Sequence, residues 1–561
     1  MPVCQLCSRK GSRCTYPQRR GQRSASPIEN TRGAEWTNGA DANAHGTATA
    51  RTAPISGSVS VSGGGDGLTV RSSSQSQPLP IPSSFARATA IGFLAPNLLR
   101  ETSLDIPRLD LDIPDEIALH LGDRQQIRET TAEFFQLTRS WMSIVIPRRH
   151  LAAVLNPLSP SRRPNALLAL RMKLCCLHVS RRDGGDGDGD GSAEAAAAER
   201  RTSLYRLIKR FYAEVESTEG LCLRVLQAAV LIAVFEIGEA IYPAAYLTVG
   251  ACARYGVAMG LDKVNKDRMG GGTSTTSLGA ASWMDVEERR RVWWGVLILD
   301  RFLNFASPTR SLATEDPAFE DFLPVDDDKF YDATANPRDA DTISQASTYE
   351  IGQFRRLAQA TYLISQVLVT IRSRPIAPDS HSHNYNYTNT TGLSIPMETA
   401  QLCRTLDALV RANETEATIR NLAFCCQSLV SFSGILLLQE HHWTQMAKAT
   451  PIQSTKNAER HIFSETRNAL DTLYRIALFL QQGSEMQIFM QGQCTFFLAS
   501  VVYHALSALV TIGRGDPSAE VRGKIEALRW LLRFLGERWP VSGVYLSILE
   551  AKEALLAAEA L

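Results

Sequence analysis

Cys4, Cys7 and Cys14, separated by two and six residues in CQLCSRKGSRCTYP, stand near the start of a 561-residue chain. Thiolates at this spacing are first of all zinc ligands, because Zn²⁺ takes sulfur and nitrogen donors in a tetrahedron. A closed structural site uses four donors, and this segment supplies three. The next histidine, His45, lies thirty-one residues beyond Cys14, across Ser-, Gly- and Ala-rich sequence that would hold nothing beside the cysteines. Interleaved with the thiols and just after them come Arg9, Lys10, Arg13, Arg19, Arg20 and Arg23, with no acid before Glu29. That cationic run suits phosphate contact or nuclear-import recognition. The chemistry to expect is zinc binding and phosphate contact, with an incomplete donor set for the metal.

Other chemistry-bearing patterns lack a needed member. DGGDGDGDGS presents Asp186, Asp188 and Asp190 like the opening of a calcium loop, but Ala197 stands where a bidentate Glu is required. His381 and His383 sit in the polar stretch SHSHNYNY with no fixed third ligand. EDPAFEDFLPVDDDKF (315–330) concentrates acids and aromatics and reads as a surface loop capping the body, in preference to a metal-binding or activation segment. No GxxxxGK phosphate loop, GxSxG elbow or HExxH helix occurs. The chain is not expected to be an enzyme.

The elements that must position these residues follow from composition and period. With 44% hydrophobic and 21% charged residues, the chain can bury a large core. A net charge of +1 excludes a uniformly basic nucleic-acid binder, so the local run at the N-terminus carries the charge argument. Residues 24–84 are Ser, Gly, Ala, Thr and Pro with almost no large apolar side chains, a composition that cannot offset its ordering entropy by burial. We expect a disordered linker there. Helical periodicity then dominates, with no convincing alternating strands, so residues 85–561 are expected to form a large all-α body.

Within it, LCLRVLQAAVLIAVFEIGEA and AAYLTVGACARYGVAMGLDK read as a helical hairpin joined at Tyr242-Pro243, with Pro243 opening the second helix. The stretch 286–305, VEERRRVWWGVLILDRFLNF, reads as a central helix with Asp285 as N-cap and Glu288 completing a capping box. Val292, Val296, Leu299 and Leu303 line one face, and Trp293, Trp294, Ile298 and Phe302 extend it almost all round. CTFFLASVVYHALSALVTI (494–512) carries no formal charge, yet its Ser500, His504, Ser507 and Thr511 favour a buried core helix over a membrane span. Eleven cysteines, several in apolar helical contexts such as Cys175, Cys176, Cys222, Cys252, Cys425 and Cys426, read as reduced buried thiols.

Two regions together resemble a known family. CQLCSRKGSRCTYP is similar to the second half of the fungal binuclear zinc-cluster DNA-binding domain, C-x2-C-x6-C followed by a polar residue, Tyr and Pro. AAYLTVGACARYGVAMGLDK and EERRRVWWGVLILDRFL resemble the middle homology region of fungal transcription factors, with Asp262 where the family often has His and SPTR (307–310) replacing the usual Gly-Arg-Pro. The resemblance implies zinc as cofactor, Cys4 as a ligand bridging two metals and Cys7 and Cys14 as terminal ligands, with three partner cysteines and the base-reading helix upstream of Met1. It further implies double-stranded promoter DNA as partner, a homodimer or heterodimer, a nuclear location, no membrane attachment and an effector of unidentified chemistry. The expected organisation is a partial zinc-cluster DNA-binding domain at 1–23, the linker at 24–84 and an all-helical regulatory domain at 85–561. The expected function is transcriptional control of pathway genes, secondary-metabolite clusters among them. The alternative is a regulator without autonomous DNA binding that acts by pairing with an intact relative.

Overall fold

The computed structural model describes residues 83–95, 111–157, 159, 161–177, 191–266, 268, 282–345, 351–373, 397–419, 426–449, 455–482, 495–512 and 518–558. The chain divides after Pro78 into two units, and the first lies outside the described residues. So do Cys4, Cys7, Cys14, the six basic residues around them, nearly all of the 24–84 linker, Asp186 to Asp190 and both His381 and His383. The account that follows concerns the second unit.

The helix that carries the ERRRVWW motif, here α9 (Trp283–Leu303), shows how sequence sets the architecture. It is longer at its N-terminus than Asp285 as a cap would allow. Ser282 is the N-cap and Asp285 is the third helical residue, accepting a hydrogen bond from the Ser282 N–H at 2.9 Å. The helix starts early because Met284 is itself buried and belongs to the apolar surface. From Val286 to Leu303 every residue except Arg289 is buried, so α9 has no solvent face to speak of. A helix apolar nearly all round has to sit inside a bundle.

Among the described residues it is preceded by α1 (Ser83–Leu94), α2 (Asp115–Leu121), α3 (Arg124–Thr138), α4 (Pro147–Val154), α5 (Arg162–Cys176), α6 (Gly191–Thr218), α7 (Leu223–Gly238) and α8 (Ala244–Ala258), of which α7 and α8 pack directly on it. Buried from Val225 to Gly238, α7 packs on α5, α8 and α9. As expected, α7 and α8 form the hairpin, although Pro243 is the residue before α8 and not its first helical one. Gly260 ends this arm in the left-handed conformation at φ 71°, which a residue without Cβ adopts at little cost, and Leu261 then turns back into the core.

After α9 come a short α10 (Asp327–Tyr331) and then α11 (Gln353–Arg372), α12 (Met397–Ile419), α13 (Cys426–Ala449), α14 (Thr455–Gln481), α15 (Phe496–Ile512), α16 (Ala519–Gly536) and α17 (Val541–Ala558). Helix α11 packs on α9 and α13, α13 on α12 and α15, and α15 on α16 and α17. The uncharged stretch 496–512 is therefore a core helix, and among the described residues no helix is long and apolar enough to cross a membrane. Phe302 of α9 meets Phe496 and Phe497 of α15 at ring-centroid distances of 4.8 and 5.1 Å, joining the two halves of the bundle. One continuous apolar cluster runs from Ile117 to Leu549. The all-α reading holds: among the described residues the sole extended pairing is an isolated bridge between Phe322 and Thr342. Of the cysteines described with their surroundings, Cys176, Cys252 and Cys403 are buried, Cys175 and Cys222 half-buried, and all five are free thiols.

Candidate functional site

The residues expected to bind zinc and phosphate lie outside the described part of the chain, so the geometry on view is that of the EERRR and LDR segments of α9. Their charged side chains point inward. Glu287, Arg290 and Arg291 have no measurable exposure, and Glu288, Asp300 and Arg301 keep at most 3%. Burying an ion costs several kcal/mol unless it is paired and its remaining hydrogen-bonding positions are filled. Here most of them are filled, by stretches remote in sequence around Ser143, Arg224, Val264, Thr314 to Asp327 and Ser365.

Arg291 is the centre. Its Nε donates to Glu287 Oε1 at 3.0 Å, one turn back on the same helix. Its Nη1 donates to Ser143 Oγ at 2.8 Å, in the turn between α3 and α4, and to Asp327 Oδ1 at 2.9 Å, at the start of α10. Its Nη2 donates to the Val325 carbonyl at 2.7 Å. The guanidinium lies over the Phe330 ring, 4.0 Å from its centroid. Glu287 also accepts from the Val325 N–H at 2.9 Å and from Arg290 Nη1 at 3.1 Å. Asp327 in turn accepts the Phe354 N–H at 3.0 Å, in the first turn of α11. Burial pushes the Asp327 carboxyl up, against the lowering pull of Arg291 and of the Phe354 N–H.

Glu288 faces the other way. It accepts from Arg224 at 2.8 Å and Gln227 at 3.0 Å, both near the start of α7. Gln227 also donates to the Ile144 carbonyl at 2.7 Å. Nearby His150 is fully buried with both ring nitrogens lacking a hydrogen-bond partner, and burial, with Arg224 adding to it, lowers its pKa to about 3.

At the far end of α9, Asp300 accepts the N–H groups of Ala313 at 3.1 Å and Thr314 at 2.9 Å. Arg301 donates to Ser365 Oγ of α11 at 3.0 Å, to the Glu315 carbonyl at 2.6 Å and to Asp316 at 3.1 Å. Burial lowers the Arg301 pKa, opposed by Asp300 and Asp316. The motif LDR is thus the clasp for one end of the segment 313–345, and ERRR the clasp for the other. Trp294 holds its middle, with Nε1 donating to the Phe322 carbonyl at 3.0 Å.

This corrects the expectation for 315–330. Glu315 and Ala318 to Glu320 do lie at the surface, but from Asp321 onward the segment turns inward: Leu323, Val325, Asp327 and Phe330 are buried, and Val325 and Phe330 form a small core of their own with Ile146, Met284 and Ala335. Two of its acids, Asp316 and Asp327, reach arginines that α9 supplies, Arg301 and Arg291. Sequence reading singled out neither Arg224 and Gln227 nor Asp327, whose partners stand 64, 61 and 36 residues away. The one signal was an unusual density of charge on a helix that is otherwise apolar.

Chemically, this arrangement holds segments together. The charges satisfy one another, and a cavity lined by Ile298, Arg301, Phe305, Thr361, Val430 and Phe497 has about 10 Å³, room for a single water. Among the described residues no cluster of His, Cys, Asp and Glu could hold a metal ion. The SPTR turn after α9 sends Arg310 over the Tyr246 ring of α8, 5.1 Å from its centroid.

Comparison with known proteins bears on the same region. The family described as fungal specific transcription factor domain matches residues 156–395, from just before α5 to the stretch after α11. That span contains α9, the whole 313–345 segment and both of its clasps. Transcription factor BOA15 of Botryotinia fuckeliana (strain B05.10) is 37% identical over 176 residues, which cover 31% of this chain and 84% of that protein. No solved structure matches the chain.

Proposed function

The chain belongs to the fungal-specific transcription factor family, and from that premise we propose that it works in the nucleus on promoter DNA, contacting it through residues 1–23. It is a fungal transcription factor and not an enzyme. The observation that carries the finer reading is the joining, in one chain and in that order, of C-x2-C-x6-C with Tyr16, Pro17 and six basic residues to a body of this family.

The donor set decides what zinc can do here. Cys4, Cys7 and Cys14 provide three thiolates, which leaves one coordination position open, so the segment alone holds the ion weakly. Arg9, Lys10, Arg13, Arg19, Arg20 and Arg23 neutralise phosphates whatever the sequence between them, giving binding that is salt-sensitive and blind to base identity. With a complementary C-x2-C-x6-C segment joined ahead of Met1, the same residues would close a binuclear site and select spaced half-sites. The helical body would regulate pathway genes, secondary-metabolite clusters among them, by controlling that N-terminal segment or by pairing.

Zinc stoichiometry by native mass spectrometry and DNA titration on CGG-containing and random duplexes test this, for the 561-residue chain and for the chain with the added segment. Weak zinc and unselective, salt-sensitive DNA binding by the first, with two zinc ions and selectivity in the second, is the expected pair of results. Selective binding by the 561-residue chain alone would overturn the account of its three thiolates. Failure of the extended form to bind DNA would favour the second reading, a regulator that acts by dimerising with an intact relative.

A further inference from the structure

In the 313–345 segment Asp321 and Asp327 are buried, whereas Glu315, Glu320, Asp328 and Asp332 are exposed. In EDPAFEDF (315–322), Asp316 pairs with Arg301 and Asp321 with Lys266 at 3.2 Å. Glu315 and Glu320 are exposed and have no ion-pair partner among the described residues. Between them Phe319 is 50% exposed, a large aromatic surface left in water. Its backbone is fixed. The Phe319 carbonyl accepts from the Ser344 N–H at 2.9 Å, the Ala318 N–H donates to the Asp321 carboxylate at 3.0 Å, and the Ile343 N–H donates to the Asp321 carbonyl at 3.0 Å.

Phe319 does not stand alone. Its ring centroid is 6.0 Å from that of Tyr362 on α11, the planes tilted by 32°, so the two rings form a short shelf. Val369, 36% exposed, follows two turns further along α11 from Tyr362. Partial burial raises the Tyr362 pKa, and the Glu320 charge adds to the rise, which places that carboxylate beside the shelf.

Aromatic faces attract cations, and guanidinium groups stack on them especially well because they are flat and weakly hydrated. The Glu320 carboxylate beside the shelf, with exposed Glu315 four residues before Phe319, adds attraction for positive charge and repels nucleic-acid phosphates. Holding the turn rigidly removes the ordering cost that a mobile loop would incur on binding. We propose that the Phe319–Tyr362 shelf, with Glu315 and Glu320, is a docking surface for an arginine-bearing basic segment of a partner protein. One guanidinium lies over the shelf and neighbouring cations meet the two carboxylates.

The test uses the full chain and a fluorescein-labelled octa-arginine peptide, followed by fluorescence anisotropy at about 0.15 M salt, with octa-lysine and octa-glutamate as comparisons. Octa-arginine should bind, octa-lysine more weakly and octa-glutamate not at all. Phe319→Ala should raise the octa-arginine Kd about fivefold and leave the unfolding midpoint unchanged. Glu320→Gln should weaken binding and steepen no other property. Glu550→Gln, at an exposed position on α17, should leave Kd unchanged. The proposal fails if octa-arginine does not bind, if Phe319→Ala binds it as the unsubstituted chain does, or if Glu550→Gln weakens it as much as Glu320→Gln. The last result would mean attraction by overall surface charge only.

Discussion

Asp327→Ala tests whether the clasp on α9 holds the fold. Asp327 keeps 6% of its surface exposed and serves two partners, Arg291 at 2.9 Å and the Phe354 N–H at 3.0 Å. Stranding one member of a buried ion pair costs about 3 to 5 kcal/mol, and an orphaned buried N–H costs about 1 to 3 kcal/mol. Arg291 retains Glu287, Ser143 and the Val325 carbonyl, so the ion-pair contribution falls at the low end. A loss of about 3 to 4 kcal/mol is expected. Urea unfolding followed by tryptophan fluorescence measures it, with Trp294 reporting locally through its bond to Phe322.

A double-mutant cycle with Arg291→Met and Asp327→Leu should return a coupling of about 1 to 3 kcal/mol. The neighbouring position supplies the control. Arg139 and Asp328 also form an ion pair, but their side chains are 56% and 57% exposed, and an exposed pair couples by less than about 1 kcal/mol. If the Arg139/Asp328 cycle matched the Arg291/Asp327 cycle, or if Asp327→Ala cost under about 1 kcal/mol, the buried clasp would not be what fixes this segment.

Two further predictions concern the core. His150 and His504 have folded pKa values lowered to about 3 and about 4, burial being the main cause in both, so their contribution to stability is complete above the unfolded value of about 6.5 and is lost as pH falls below it. By pH 5 each should have cost about 2 kcal/mol, and His150→Phe should roughly halve the drop in urea midpoint between pH 7 and 5; an unchanged drop would refute the buried neutral state of His150. At Gly256, where α8 approaches α9, an added Cβ would come within 2.7 Å of the Trp293 ring, so Gly256→Ala should destabilise by about 1 to 3 kcal/mol through overpacking, whereas Gly250→Ala on the same helix meets nothing within 4 Å and should be neutral or slightly stabilising in the same unfolding assay.

The contrast between α9 and the segment it clasps explains what a single sequence can reveal. The apolar stripe Val292, Val296, Leu299 and Leu303 is local, repeats with the helix period and gave the central position of α9 correctly. Its N-terminus was misplaced because two cap patterns overlap: Ser282 with Asp285, and Asp285 with Glu288, have the same spacing. What separates them is the fate of Glu288, which is buried against Arg224 and cannot return to the backbone. No local rule contains that information. Likewise the acids of 315–330 carry the composition of a solvated loop until the arginines that draw them inward are known to face them. The N-terminal spacing C-x2-C-x6-C falls within eleven residues and so needs no distant partner to be noticed, but it lies outside the described residues.

A buried ionic hub is an unusual way to stabilise a bundle, because well-packed apolar residues of the same volume often do as well or better. Specificity is the better account here. Apolar surface on α9 would accept many loops in many registers, whereas Arg291, already held by Ser143, accepts only a segment that places a carboxylate and a carbonyl at Asp327 and Val325 together. Asp300 and Arg301 impose a second such condition at Ala313, Thr314 and Asp316. With both ends fixed, the turn between them has one conformation, and Phe319 is held outward at its crest. The motif that marks the family body therefore acts through the fold.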